Sequence, residues 1–380
     1  MADPLYDQIS AGTLADLKED VVYDNFFVDP GIQRKMRASG VLEPYLGGTV
    51  MQEPFQFNRV QGGAHQPGAD INIIQQQILA AAAFAPKEYV ETVPLNLWQT
   101  NVINNGPAGK IKLADLYMTN AVQALNTDLG IDFYRHGQPA SGSNVVDNRQ
   151  FFINGASEAL NDGVTNSWDG NIFPTYGGQT RNGAIGNVLN SIPYWCGNSV
   201  GGTGQISYKV ILEGYLDCVE PPDSGSTNKA AWAYLAERQE TKQRFTVETD
   251  MQIGVAGLKI LDAFIYVDKL CPSTKYGQIL PSGLSQTTAI QPSSFTSGAA
   301  PSAISNLPAA TTITPGEVLF LFRLKGWKVR PVTDPEYNFN FTPPIRSQNN
   351  PDLIVMFLKA GCNFYTPQPR NNKQFYGIGF

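Results

Sequence analysis

The chain has 380 residues, a net charge of −6 and 16% charged residues, against about a quarter in an average globular protein. Its length and its 42% hydrophobic content support two or three packed domains. The acidic balance, with no cluster of Lys and Arg, excludes a reader of nucleic acid, which needs a basic footprint for phosphate.

Cys196, Cys218, Cys271 and Cys362 are widely separated with no CxxC pair, so they read as small buried hydrophobes rather than as a disulfide framework. Two histidines, His65 and His136, are too few for a His-rich metal site, and no cofactor or metal is expected. The opening MADPLYDQISAG lacks the basic start and apolar core of a signal peptide. No stretch nears the roughly 18 apolar residues of a membrane helix, so no membrane partner is expected.

Residues 1–45 read as an arm. Short helices are expected at Thr13–Asp20 and Ile32–Ala38, on either side of the Pro30-Gly31 turn. Their apolar side chains are too few to close a core alone. From Gly47 to Trp98 the pattern turns to β. Thr49–Val60 carries Val50, Phe55 and Phe57 between polar residues, and Gln61–Asp70, with His65, reads as a turn-forming tip. Ile74–Ala83 fits helix or strand equally. Glu88–Trp98 alternates, with Tyr89, Val93, Leu95 and Leu97 on one face. Pro54, Pro86 and Pro94 place these segments at sheet edges, because proline cannot donate to a ladder. A long two-stranded hairpin is marginal alone, so a partner must cover it.

The longest helical signal is Lys110–Gly137. Leu113, Leu116, Tyr117, Ala121, Ala124, Leu125, Ile131 and Phe133 recur at spacings of three and four, with no proline inside and Gly137 where a left-handed cap is wanted. About 23 helical residues would span about 35 Å. Ser141–Asn198 is Gly- and Asn-rich and reads as mostly irregular. Ile206–Cys218 and Thr227–Gln239 read as helices, the second capped by Ser226 or Thr227. Ile253–Leu270 reads as strand. Gly277–Gly316 contains no charged residue and reads as a long surface loop or small β insertion. Strands are expected at Val318–Leu324, Trp327–Val332 and Leu353–Phe364. No internal repeat is visible.

Motifs of catalysis fail on context. Gly197-Asn198-Ser199-Val200-Gly201 fits GxSxG, but the order Ser, acid, His requires a later histidine and none follows His136. Gly109-Lys110 lacks the earlier glycine and the Ser or Thr of a phosphate loop. Asn161–Asn171 does not match calcium-loop spacing. His136, close to a helix C-terminus, suits the helix dipole. No enzymatic activity is expected.

Taken together, the chain resembles the major capsid proteins of tailed bacteriophages, with the Hong Kong 97-type capsid fold. The segments that carry the likeness are AAAFAPKEYVETVPLNLWQTNVINNG, KLADLYMTNAVQALNTDLGIDFYRHG, TYGGQTR, KQRF, GLKILDAFIYVDKLCP and AGCNFYTPQPRNN, in that order. The resemblance implies an α+β fold: an N-terminal arm (1–45), an extended hairpin loop (46–100), a peripheral domain (101–200) with its spine helix at 110–136, an axial α/β domain (201–330) with the uncharged insertion 277–316, and a return to the peripheral domain with a C-terminal tail (331–380). It implies assembly contacts through Phe55, Phe57, His65, Tyr89 and Trp98 of the hairpin. Leu113, Tyr117, Leu125 and Phe133 would pack the spine, and Tyr176, Gly177, Gly178 and Arg181 would form a turn motif.

It further implies a shell protein that self-assembles into pentamers and hexamers of an icosahedral head around double-stranded DNA, in the virion after assembly in the host cytoplasm. Portal and scaffolding proteins, and a decoration protein, are the implied partners; an encapsulin-like nanocompartment shell is the alternative. No lysine lies between Arg37 and Pro86, so no isopeptide weld from the hairpin tip is expected. The absence of a long charged helical segment at the start leads to the expectation of a separate scaffold and no cleavage there.

Overall fold

The computed structural model describes residues 31–57, 60, 63–64, 66–67, 77–98, 113–137, 151–165, 167–169, 171–181, 195–201, 207–239, 257–273, 280–281, 316–346 and 352–378. The expected helix Thr13–Asp20, the tip residue His65 and nearly all of the uncharged segment 277–316 lie outside them.

Two sheets and one long helix organise the chain. The five-stranded sheet is built on β16 (Leu353–Tyr365). One edge of β16 pairs antiparallel with β3 (Lys87–Asn96) over ten residues, from Leu353↔Asn96 to Cys362↔Lys87. Its other edge takes β13 (Lys328–Pro331), β14 (Asn340–Phe341) and β15 (Ile345–Arg346) in turn. The alternation read in Glu88–Trp98 is real: Tyr89, Val93 and Leu95 are buried. Its partner, however, is not the outgoing hairpin limb but a strand more than 250 residues later. Within this sheet β3 pairs with β16 alone, which leaves Pro94 harmless on the free edge.

The hairpin itself is β1 (Met51–Gln56) with β2 (Leu79–Phe84), in register from Met51↔Phe84 to Gln56↔Leu79. The described part of Ile74–Ala83 is thus strand where it is regular at all. Helix α1 (Gly31–Ala38) matches the expected second arm helix. After it the chain makes parallel bridges, Leu42 to Val329 and Tyr45 to Val332.

The eight-stranded sheet runs β11-β10-β12-β7-β9-β8, with β17 on β12 and β6 on β17. Its members are β6 (Asn198–Val200), β7 (Ser224–Thr227), β8 (Gly257–Ile260), β9 (Ala263–Val267), β10 (Pro272–Ser273), β11 (Leu280–Pro281), β12 (Glu317–Phe322) and β17 (Lys373–Ile378). The segment read as one strand, Ile253–Leu270, is an antiparallel hairpin where it is described, turning at Leu261 with φ 53. β7 and β9 pair in parallel. Ser226 and Thr227 lie inside β7, so neither caps the helix that follows, α5 (Lys229–Gln239). Asn228 does, accepting from the Ala231 amide at 2.9 Å. Residues 373–378 are no tail: all six are buried in β17, which pairs with β12 and β6. The polar start of that segment hid a strand flanked on both sides.

The long helix α2 (Leu113–Tyr134, 22 residues) joins the two sheets. It is not amphipathic along its whole length. Its first half leaves Leu116 and Val122 exposed, whereas every residue from Thr127 to Tyr134 is buried. Gly137 is not a left-handed cap, as its φ is not positive. It is needed because a Cβ there would lie 2.3 Å from the Phe152 and Ile153 carbonyls. Phe133 packs against Trp327, Phe322 and Phe364, and Tyr134 against Phe320. One helix end thus touches both β12 of the eight-stranded sheet and β16 of the five-stranded sheet. All four cysteines are buried and none is in a disulfide.

Candidate assembly interface

The hairpin is two strands wide, so its own ladder cannot hold it, and it is fixed at the root by side chains. On its inner face Met51 and Glu53 of β1 and Ala82 and Phe84 of β2 are buried. Phe55 stacks on Trp195 at 3.9 Å and 16°. Phe84 stacks on Tyr365 at 4.2 Å and meets the Tyr176 edge at 5.1 Å.

Glu53 is the charged pivot. Its carboxylate accepts from Arg330 at 2.7 Å, from Lys328 at 3.0 Å and from the Tyr365 hydroxyl at 2.9 Å. Glu43, in the segment after α1, holds the same two cations from the outer side, at 2.9 and 3.3 Å. A buried carboxylate is tolerable when it has this many charge-assisted donors. Burial and the Glu53 bond together push the Tyr365 hydroxyl well above its usual range.

The Thr175–Arg181 motif is the second clamp. β4 (Thr175–Tyr176) and β5 (Gln179–Thr180) pair across Gly177 and Gly178, whose φ values are 55 and 75. Two successive left-handed residues make the tight turn that favours glycine. A Cβ on Gly177 would also strike Ala82 and Phe84 at 2.8 Å. The Gly177 carbonyl accepts from the Ala83 amide at 2.9 Å, and the Gln179 amide donates to the Ala81 carbonyl at 2.7 Å, so the turn caps the free edge of β2. Tyr176 accepts from the Thr366 amide through its hydroxyl and from the Trp195 indole through its carbonyl.

Arg181 is buried beside the Tyr176 ring and donates to the Glu158 and Asn161 carbonyls. Burial pulls its guanidinium down to about 10. Burial also pushes the Glu158 carboxyl up to about 7, against its bonds from Asn154 and Gly137 and the charges of His136 and Arg181.

Where it is described, the Gly- and Asn-rich segment is mostly irregular, and residues 153–161 are buried. Here α3 (Ala156–Ala159) and the loop to Phe173 tie the end of α2 to the eight-stranded sheet, Ser167 bonding Gln374 of β17. His136 pairs with Asp169 at 2.9 Å, beyond the last turn of the helix rather than on its dipole. Ser157 donates to the same carboxylate at 2.7 Å. Tyr134 reaches Ser226 at 2.5 Å and Asp268 at 2.8 Å. The one sequence signal for this network was the density of Asn, Asp and Ser in Asn154–Asn171, which also describes an exposed turn. Ser199 lies in β6 and accepts from Gln374 at 3.0 Å. Among the described residues no group of acids, histidines and cysteines could hold a metal, and no helix is long and apolar enough to cross a membrane.

The predicted site residues therefore separate. Phe55, Phe57 and Tyr89 are spent inside the chain, and Tyr89 donates from its hydroxyl to Asp132 at 3.0 Å. Trp98 alone of the described hairpin set faces out, at 59% exposure. Leu125 and Phe133 are core, and Tyr117 packs against that core; nothing is described for the Leu113 side chain. Sequence reading missed other outward apolar side chains: Leu46, Leu79 and Ile345 are exposed at 88%, 58% and 57%.

No protein-family model and no curated protein matches the sequence. Solved structures do. The cyanophage A-1(L) capsid asymmetric unit superposes with a TM-score of 0.63 at 13% identity, covering 96% of this chain and 97% of that one. The capsid of a native GTA particle gives 0.53 at 8% identity, covering 96% and 95%. The Mycobacterium phage Ogopogo structure gives 0.51 at 9%, covering 93% and 94%. The chain has the Hong Kong 97-type capsid fold, as its sequence resemblance led us to expect.

Proposed function

We propose that this chain, which carries the Hong Kong 97-type capsid fold, is the major shell protein of a phage head. It assembles with copies of itself into pentamers and hexamers around double-stranded DNA. The observation that carries this reading is coverage: the similarity to capsid subunits runs over 96% of this chain and 97% of the cyanophage one.

The physical argument agrees. A two-stranded hairpin rooted on a folded body, with Leu79 exposed on its outer face, needs a neighbour to cover it. The hairpin then lies across an adjacent subunit, residues 1–45 grip the next capsomer, and the eight-stranded domain lies toward the capsomer centre. Portal and scaffolding proteins are separate partners, with a decoration protein as an outer one.

Expression of the full chain with and without its neighbouring genes, followed by negative-stain microscopy, tests this. Closed shells of uniform size that package nucleic acid are expected. A chain that stays monomeric at every concentration with its neighbours present overturns the reading. Shells that hold an enzyme and no DNA favour the nanocompartment instead. Denaturing gels of mature particles should show single-chain bands, since no lysine lies between Arg37 and Pro86 to weld from the hairpin tip.

A further inference from the structure

Strand β3 leaves the hairpin through Ala85 and Pro86 and packs at once against α2. Three carboxyl groups meet at that junction: Glu91 of β3, and Asp128 and Asp132, one turn apart on α2. Asp128 is 3% exposed and Asp132 fully buried. Asp132 has a donor, the Tyr89 hydroxyl. Among the described residues the Asp128 Oδ1 has no hydrogen-bond partner, and its carboxyl lies within bonding reach of the Glu91 carboxyl. A carboxylate only accepts, so two carboxyl groups can bond to each other only when a proton lies between them.

We propose that Glu91 and Asp128 share one proton, and that this proton clamps the root of the hairpin to the long helix. It is a conformational device beyond the shell function, for it resides in the fold of the single chain. Every charge acting on Asp128 except Arg135 is negative, from Glu91 on β3 and Asp132 on α2. Burial, then Asp132 and Glu91, hold the Asp128 carboxyl far above the usual range, at about 9. Burial raises Glu91 as well.

A carboxyl raised in the folded chain gives stability that is complete below the unfolded value. That stability falls as pH climbs through the folded one. Loss of the proton leaves two carboxylates facing each other in that seam and drives β3 from α2. Alkali therefore loosens the hairpin root.

The test uses the full chain. Asp128→Asn supplies a permanent donor to Glu91 in place of the proton. Between pH 6 and 9.5 the unfolding temperature of wild type should fall by about 2 °C per pH unit more than that of Asp128→Asn, with the variant the more stable at the alkaline end. Glu91→Gln should flatten the profile likewise, whereas Asp132→Asn should leave a titrating pair. Infrared spectra of wild type should show a buried protonated-carboxyl band at pH 8.5, above the range in which Glu158 holds its proton, that is lost by pH 10.5 and absent from Asp128→Asn at pH 8.5. Parallel pH profiles for wild type and Asp128→Asn, or no such band in wild type at pH 8.5, overturn the proposal. The infrared readout on wild type decides even if the variants do not fold.

Discussion

The eight-stranded sheet, which we propose is axial, and the five-stranded sheet, peripheral in the same proposal, use the same residue types to opposite ends. In the eight-stranded sheet β12 and β17 are buried at all six positions each, and β9 at four of five. In the five-stranded sheet the first half of β16 is only half-buried, and β3 alternates. Among the described residues most of the exposed large apolar side chains fall accordingly. Leu42, Leu46, Val50, Leu79, Trp98 and Ile345 belong to the segment after α1, the hairpin and the five-stranded sheet, while the region of the eight-stranded sheet shows Leu216, at the end of α4 (Tyr208–Leu216), and Val219. One region closes its core by itself. The other is a folded body with surface left for something else to cover.

The sharpest way to break that contrast is at the joint. Phe133 contacts both sheets, so Phe133→Ala should cost about 3–5 kcal/mol, read by chemical denaturation of the full chain. If the axial sheet is self-sufficient, amide exchange in β12 and β17 should stay slow in this variant while β3 and β16 open. Uniform loss of protection would show that the two sheets are one cooperative unit.

Arg181→Met should come next, at about 2–3 kcal/mol. It removes the donors to two buried carbonyls and the cation that restrains Glu158. Glu158 is already raised by burial, to about 7. Such a group gives stability below its unfolded value and loses it as pH rises through its folded one. Without Arg181 the folded value climbs further, so the deficit of the variant should be greater at pH 9 than at pH 5 in thermal melts.

Glu53→Gln tests the hairpin clamp. Lys328 and Arg330 are about a fifth exposed and keep Glu43, so solvent and the second carboxylate soften the loss to about 1–2 kcal/mol. The effect should be local, with faster exchange in β1 and β2 and little change in β12. A global drop equal to that of Phe133→Ala would mean that the hairpin is part of the core.

How much of this was legible depends on range. Local periodicity marked α2, β3 and the hairpin, because spacings of two and of three to four are set by neighbours in sequence. Tyr176-Gly177-Gly178 was legible as a turn because left-handed backbone selects glycine. What escaped was set by distant contacts. β17 follows the polar run Asn371-Asn372-Lys373, and nothing local reveals that two strands flank it. His136 and Asp169 are 33 residues apart, and each taken alone resembles a surface residue. Phe55 and Tyr89 looked fit for a neighbour, but their partners, Trp195 and Asp132, were invisible until the chain folded.

The smallest expected effect on the fold is the most informative about assembly. Leu79 and Trp98 are each more than half exposed and make no part of either core cluster, so Leu79→Ser and Trp98→Ser should change the stability of the unassembled chain by no more than about 0.5 kcal/mol. If the outer face of the hairpin and the end of β3 are contact surfaces, the same substitutions should lower shell yield or raise the concentration at which shells form, because each covered apolar side chain contributes about 1.5–3 kcal/mol to an interface. Quantitative microscopy and sedimentation at matched concentration separate the two effects. Normal assembly in both variants would move the contact surface off this side of the molecule, to the axial Leu216 and Val219.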